Sequence, residues 1–299
     1  MNTNKTWHKV HEKFLSVKTK KSSEKLILII AIFSFIIHLI LTYMVQGGLI
    51  KINSNLFNNP IAAIYTPFSF ILLYEVYLLI YYIPKSITIY VGKQYEIITL
   101  IVIRRLFKDL SNLELSTNWF ELKGDMQFTY DITVSILLFY LIYLFKVQSR
   151  KRQTGIEDYI TEGPNLQVYI NFKKIIASSL VPILVLIAGY SFISWFTGAL
   201  YHSSVSLIPV KNLNNIFFDE FFTILIIIDV ILLLLSFFYT DNFHKVIRNS
   251  GFVISTILIR LSFGVDGLIN TILILSSVVF GLIILFIYNK YEKNKSLWI

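Results

Sequence analysis

Blocks of apolar residues about twenty long, separated by short polar segments, dominate the chain. A run of about 18 or more apolar residues with few charges predicts a membrane-spanning helix. Six apolar segments are the main candidates, namely 26–46, 67–83, 132–145, 175–195, 221–239 and 267–288, of which 132–145 is the shortest. Two weaker candidates, 86–107 and 252–263, carry charged residues within an apolar pattern. The pattern predicts an all-α, polytopic transmembrane helical bundle.

Basic residues indicate how many of these segments cross the membrane. They concentrate in 1–25, in 146–174 and again in 290–299. Basic segments of membrane proteins stay on the cytoplasmic side, so an even number of crossings must separate each pair of them. Both weaker segments are therefore expected to span, which gives about eight helices with both termini cytoplasmic in the cytoplasmic (inner) membrane.

The predicted regions follow from this topology. They are a basic cytoplasmic arm at 1–25, a first four-helix unit at 26–147, a cytoplasmic linker at 148–172, a second four-helix unit at 173–289 and a basic tail at 290–299. Glu75 in the second predicted helix aligns with Asp229 in the sixth, and Arg104 in the third aligns with Arg260 in the seventh. The matching charges predict two tandem repeats.

Charges inside the bilayer need a partner or water, because each costs at least about 2.5–3.5 kcal/mol on insertion scales. At 1.5 Å per residue, the hairpins place Glu75 level with Arg104 and Asp229 level with Arg260. Such pairs could lock helices together or line a substrate or ion path, and Arg104 and Arg105 could instead snorkel to the headgroups. The candidate path residues are Glu75, Arg104, Arg105, Asp229, Arg260 and His38.

Other polar residues in the predicted helices have simpler explanations. A packing role is favoured over a proton relay for His38. Asp131 opens the fourth predicted helix, where a helix N-terminus favours a carboxylate. Glu96 and Lys93 are expected to pair with each other locally.

Composition narrows the class of protein. Apolar residues make up 55% of the chain and charged residues 15%, against about 25% charge in soluble domains. This excludes a soluble enzyme and a nucleic-acid-binding domain. Cysteine is absent and no catalytic or phosphate-binding motif occurs, so we expect neither enzymatic activity nor a cofactor.

The N-terminal arm has a helical pattern of its own. Trp7, Val10, Phe14 and Val17 recur at helical spacing among lysines. Such a pattern is typical of a basic amphipathic helix that lies on anionic inner-leaflet lipids. A basic tail that only sets orientation is the alternative.

The predicted first unit is similar in topology to a voltage-sensor domain. Both have four helices, cytoplasmic ends and an acid in the second helix, here Glu75, and Glu96 near the inner start of the third helix also fits. The fourth segment, 132–145, contains no arginine ladder. Without regularly spaced cations there is no gating charge to move, so the likeness concerns topology alone.

Two functional hypotheses follow. The first is a channel- or transporter-like protein with intramembrane carboxylate–arginine pairs. The second is a non-catalytic membrane subunit that assembles a larger complex through protein partners or as a homo-oligomer. An enzyme acting on lipid-linked substrates is the weakest alternative, because no nucleophile or metal cluster is evident.

Overall fold

The computed structural model describes residues 10–49, 60–110, 123–153, 164–201, 210–239, 243–265 and 267–294. All its regular elements are helical. They are α1 (Val17–Gln46), a 3₁₀ turn (Pro60–Ile64), α2 (Tyr65–Tyr82), α3 (Ile87–Leu110), α4 (Lys123–Gln153), α5 (Pro164–Tyr201), α6 (Val210–Tyr239), α7 (Phe243–Ser262) and α8 (Leu268–Lys293). The all-α prediction is therefore confirmed. Trp7, residues 154–163 of the predicted linker and residues 295–299 lie outside the described residues.

Among the described residues, five helical segments are long and apolar enough to cross a membrane. They are Val17–Gln46, Met126–Arg150, Gln167–Tyr190, Phe221–Tyr239 and Leu268–Lys293. The apolar part of α2, Thr66–Tyr82, is shorter. Both weaker sequence segments lie in long helices, α3 and α7, but these two are less apolar than the other five.

Helix α1 presents its apolar residues outwards. Its buried residues, Ala31, His38 and Thr42, lie seven and four positions apart along one narrow face, and two of the three are polar. Large apolar side chains on the remaining faces are exposed, among them Phe33, which is 60% exposed. In water this arrangement would be costly, whereas in a bilayer lipid covers such faces.

Helix α7 has the opposite character. Its buried residues include Lys245, Arg248, Asn249, Ser255 and Thr256. A helix with so many polar groups can lie at membrane depth only where protein or water, rather than lipid, surrounds those groups. This explains why its hydropathy is low although its 20 residues are long enough to span.

The chain divides into two compact units. Unit 1 comprises Met1–Tyr81, Ile101–Asp131 and Ser178–Phe221, and unit 2 comprises Tyr82–Leu100, Ile132–Ala177 and Phe222–Ile299. The tandem division of the sequence at 26–147 and 173–289 stays a prediction.

Unit 1 contains a buried face of α2 and ties the N-terminal arm to that helix. Leu72, Val76, Leu79 and Ile80 of α2 are buried. The hydroxyl of Tyr77 donates a hydrogen bond to the carbonyl oxygen of Phe14 at 2.8 Å.

Aromatic side chains pack at the centre of unit 2, at a place where a glycine lets neighbouring helices come close together. The ring of Tyr95 lies edge-on to Phe145 with centroids 5.1 Å apart, and its hydroxyl is hydrogen-bonded to Ser255 at 2.6 Å. Gly281 on α8 makes room for this hydroxyl, since a Cβ atom there would lie 1.8 Å from it.

Candidate functional site

A buried carboxylate on α6 forms the centre of the candidate site in unit 2. Asp229 follows three isoleucines in an apolar helix and is itself only 5% exposed. Gln94 Nε2 of α3 donates to Asp229 Oδ2 at 3.2 Å, and Thr256 Oγ1 of α7 lies 3.4 Å from the same oxygen. Two other helices thus contribute polar groups to one carboxylate.

A tyrosine and a lysine complete the surroundings of Asp229. Tyr90 lies one helical turn before Gln94 on α3, and its buried hydroxyl lies beside the carboxylate without a hydrogen bond of good geometry. Lys173 of α5 is the cation that acts on Asp229. Its Nζ donates to the carbonyl oxygen of Lys85 at 2.8 Å. The same ammonium group lies 5.2 Å from the ring centre of Tyr169.

These side chains enclose a cavity of about 20 Å³. Its polar lining consists of Tyr90, Tyr169, Lys173, Asp229 and Thr256, and Ile83, Ile87, Val91, Leu232 and Val253 supply the apolar remainder. A volume of this size holds about one water molecule. The site therefore suits a single water, a proton carrier or a small ion better than an organic molecule.

Arg260, which the sequence pairs with Asp229, contacts another residue of the same helix, α6. Arg260 Nη2 donates to Thr223 Oγ1 at 3.4 Å. Thr223 lies six residues before Asp229 on α6, which is about 9 Å along the helix axis. This contact lies on the N-terminal side of Asp229. The pairing of Arg260 with Asp229 stays a prediction, and Lys173 acts on Asp229 electrostatically.

The first predicted pair of charges lies in unit 1. Glu75 of α2 is buried, and Arg104 of α3 is the charged residue that acts on it electrostatically. Both lie at similar distances from the α2–α3 turn, and their predicted pairing stays a prediction.

The neighbouring arginine makes a stronger pair that the sequence did not predict. Arg105 donates through Nε and Nη2 to both carboxylate oxygens of Asp131, and the Nη2 distance is 2.6 Å. Gln127 donates to the same carboxylate at 2.8 Å, and Asp131 is fully buried. The sequence predicted only that a helix N-terminus favours the carboxylate of Asp131. It did predict that Arg105, as a charge inside the bilayer, needs a partner or water.

His38 is positioned by packing and hydrogen bonding. Its Nδ1 lies 2.5 Å from Thr66 Oγ1, and its carbonyl oxygen accepts a hydrogen bond from Thr42 at 2.9 Å. This arrangement agrees with the packing role favoured by the sequence.

Charged residues of unit 2 also form surface-proximal clusters. Glu96 contacts Lys93 at 2.5 Å, as predicted, and Lys146 of α4 at 2.7 Å. His244 contacts Glu292 at 2.6 Å. Within the described ranges, no group of three or more histidine, aspartate and glutamate residues could hold a metal ion.

Sequence reasoning missed Gln94, Thr256 and Lys173 as neighbours of Asp229. The signal for Gln94 was its spacing of four from Tyr90, which puts two polar side chains on one face of α3. Lys173 was counted only as part of a cytoplasmic basic segment, and nothing in the local pattern indicated that it faces a carboxylate.

The apolar helices define the chain as a multi-pass integral membrane protein. It matches no known protein family, no curated protein and no solved structure. The case for its function therefore depends on the geometry of its own residues.

Proposed function

We propose that the chain is a channel- or transporter-like membrane protein whose polar path passes the carboxylate of Asp229. The observation that carries this proposal is the convergence of Tyr90, Gln94, Lys173 and Thr256 on Asp229 around a water-sized cavity. A carboxylate in an apolar helix is costly, and such residues usually mark ion or substrate pathways.

An eight-span topology with cytoplasmic termini accompanies this proposal. Helices α2, α3 and α7 contain 18, 24 and 20 residues, which correspond to roughly 27, 36 and 30 Å at 1.5 Å per residue. A bilayer core is about 30 Å thick, so each can cross it. Their polar groups are compatible with crossing where other helices cover them. The two tandem four-helix repeats are part of the same proposal, supported by the matching order of their charges.

The N-terminal arm is proposed to rest on anionic lipids of the cytoplasmic membrane. Lys13, Lys18 and Lys21 are exposed near the start of α1, and the apolar side chains of Phe14 and Val17 are exposed beside them. Basic residues next to exposed apolar side chains favour an anionic membrane surface.

Reconstitution into liposomes tests the transport proposal. Entry of protons and Na⁺ is followed with trapped pH- and Na⁺-sensitive dyes under an imposed gradient. We expect flux from the wild type and its loss in Asp229→Leu, because that variant removes the charge on the path while keeping an apolar helix. Glu24→Gln removes an exposed carboxylate and serves as the control that keeps wild-type flux. Absence of flux from wild type, or equal flux from Asp229→Leu, contradicts the proposal.

The second candidate function is a non-catalytic membrane subunit. The large apolar side chains exposed on its helices, such as Leu186 and Phe238, favour it, because partner helices can pack on such faces. Purification in mild detergent distinguishes the two candidates, since this function requires a stoichiometric protein partner to remain bound.

A further inference from the structure

The hydroxyl of Thr256 is placed to accept a proton from Asp229. Thr256 Oγ1 donates to the carbonyl oxygen of Val253 at 2.9 Å, and the same atom lies 3.4 Å from Asp229 Oδ2. A threonine hydroxyl has a single proton to donate and can also accept hydrogen bonds. The shorter contact uses that proton. A hydrogen bond between Thr256 and Asp229 therefore needs a proton on the carboxyl group.

The hydroxyl of Tyr90 can adjust to either protonation state of Asp229. It lies beside the carboxyl group of Asp229 and beside the side chain of Gln94. Gln94 Nε2 donates to Asp229 Oδ2 at 3.2 Å, and the amide oxygen of the same residue is an acceptor. A carboxylate only accepts hydrogen bonds, whereas a protonated carboxyl group also donates one. Tyr90 can therefore donate to Asp229 in the first state and to Gln94 in the second.

The lysine that faces Asp229 has further partners of its own. The ammonium group of Lys173 donates to the carbonyl oxygen of Lys85 at 2.8 Å. It also lies 5.2 Å from the ring centre of Tyr169, where a cation is attracted to the aromatic face. These two contacts remain when the carboxyl group of Asp229 becomes neutral.

The cavity is too small and too apolar for a metal cation. It has a volume of about 20 Å³, and most of its wall is apolar. The titratable groups that face Asp229 there are Tyr90 on α3 and both Tyr169 and Lys173 on α5, and Arg248 on α7 acts on the latter two. Hard cations take several oxygen ligands, which this wall does not supply. A proton needs only one water to deliver it and one oxygen atom to hold it.

We propose that the proton is the substrate of this site and that Asp229 takes it up and releases it. An O–H bond of a hydronium ion in the cavity breaks, an O–H bond forms on Asp229 Oδ2, and a neutral water remains. The carboxyl group then donates to Thr256, and Tyr90 turns to Gln94. Release reverses these steps. The inference rests on the proposed function, since it names the substrate of the same path.

Infrared difference spectroscopy of the purified full chain tests proton uptake directly. A change of pH, in H₂O and again in D₂O, reveals the carbonyl band of a carboxyl group that gains a proton. We expect a band that Asp229→Asn loses and that Glu24→Gln, a change at an exposed carboxylate, keeps. Thr256→Val removes the acceptor of the carboxyl proton, so it should move this band to higher frequency. Circular dichroism and gel filtration establish that each variant is folded.

Flux in liposomes tests which ion the site passes. The wild type should carry protons at the same rate in Na⁺, K⁺ and choline media, and Na⁺ should enter no faster than it enters empty liposomes. Asp229→Asn keeps the shape of the side chain but holds no exchangeable carboxyl proton, so it should lose the proton flux.

Three results would overturn the inference. They are the absence of a band that depends on Asp229, a Thr256→Val spectrum identical to that of the wild type, and entry of Na⁺ that depends on Asp229. If Asp229→Asn fails to fold, the comparison of the wild-type band with that of Thr256→Val decides. An Asp229 band without flux of any ion contradicts the proposed function and leaves the proton site standing. Asp229-dependent Na⁺ flux without the band does the reverse.

Discussion

Buried charges in this chain differ in how they are satisfied, although all lie in helices. Asp131 receives hydrogen bonds from Arg105 and Gln127, which fill its acceptor positions. Asp229 has weaker, neutral donors, a lysine at a distance and a cavity beside it. The first environment suits a fixed structural link, and the second suits a group that exchanges partners.

Replacing either residue of the Arg105–Asp131 pair is expected to destabilise the fold, but by different amounts. Arg105→Leu should lower the free energy of unfolding by about 3–5 kcal/mol, because it leaves a fully buried carboxylate without its cation. Asp131→Leu should cost less, since the 29% exposed side chain of Arg105 can turn towards water. Unfolding in mixed micelles with increasing dodecyl sulfate measures both.

The double variant and an exposed arginine provide the controls for this prediction. Arg105→Leu combined with Asp131→Leu should recover part of the lost stability, which a double-mutant cycle quantifies. Arg150→Leu, at an exposed position, should change stability little. Equal effects of all three single substitutions would contradict a specific pair.

Helices differ in whether lipid or protein covers them. The buried face of α1 includes the polar residues His38 and Thr42, and most of its isoleucines and phenylalanines are exposed, whereas α7 buries cations, amides and hydroxyls. The polarity of α7 is thus a consequence of its position in the protein. A hydropathy criterion assumes that lipid surrounds a helix on all sides, so it underestimates the ability of a helix such as α7 to span the membrane.

The elements were largely predictable because hydrophobic periodicity is local. Segment 132–145 lies within α4, which extends beyond it at both ends, and segment 252–263 coincides with the second half of α7, which begins nine residues earlier, at Phe243. The polar ends of these helices carry no apolar pattern and so escaped detection. The partners of Asp229 could not be predicted in the same way, since Gln94, Lys173 and Thr256 come from three different helices that only tertiary packing brings together.

Labelling of introduced cysteines tests whether α7 crosses the membrane. The chain has no cysteine, so single substitutions give a unique label. With eight spans, Gly264→Cys in the exposed α7–α8 turn should react in intact cells with a membrane-impermeant maleimide. Lys85→Cys in the exposed α2–α3 turn should react only after permeabilisation. Reaction of both positions on the same side would contradict the topology.

The exposed surface of the chain is strongly apolar along several of its helices. Ile136 on α4, Leu186 on α5, Phe238 on α6 and Ile269 on α8 are all more than half exposed. Soluble proteins rarely expose so many large apolar side chains. The chain as a whole therefore requires a bilayer, and polar groups such as those around Asp229 lie buried between its helices.

The account depends most on water reaching that cavity. Thr256→Cys places a thiol on the cavity wall, and Ser255→Cys places one at the neighbouring residue, which is fully buried and hydrogen-bonded to Tyr95 and Ser277. The rate at which a small cationic methanethiosulfonate modifies each thiol in intact membranes is the direct measurement. We predict rapid modification of Thr256→Cys and none of Ser255→Cys. If both thiols stay unmodified until the protein is denatured, no aqueous path wide enough for this small solute reaches the site, and the transport account is wrong.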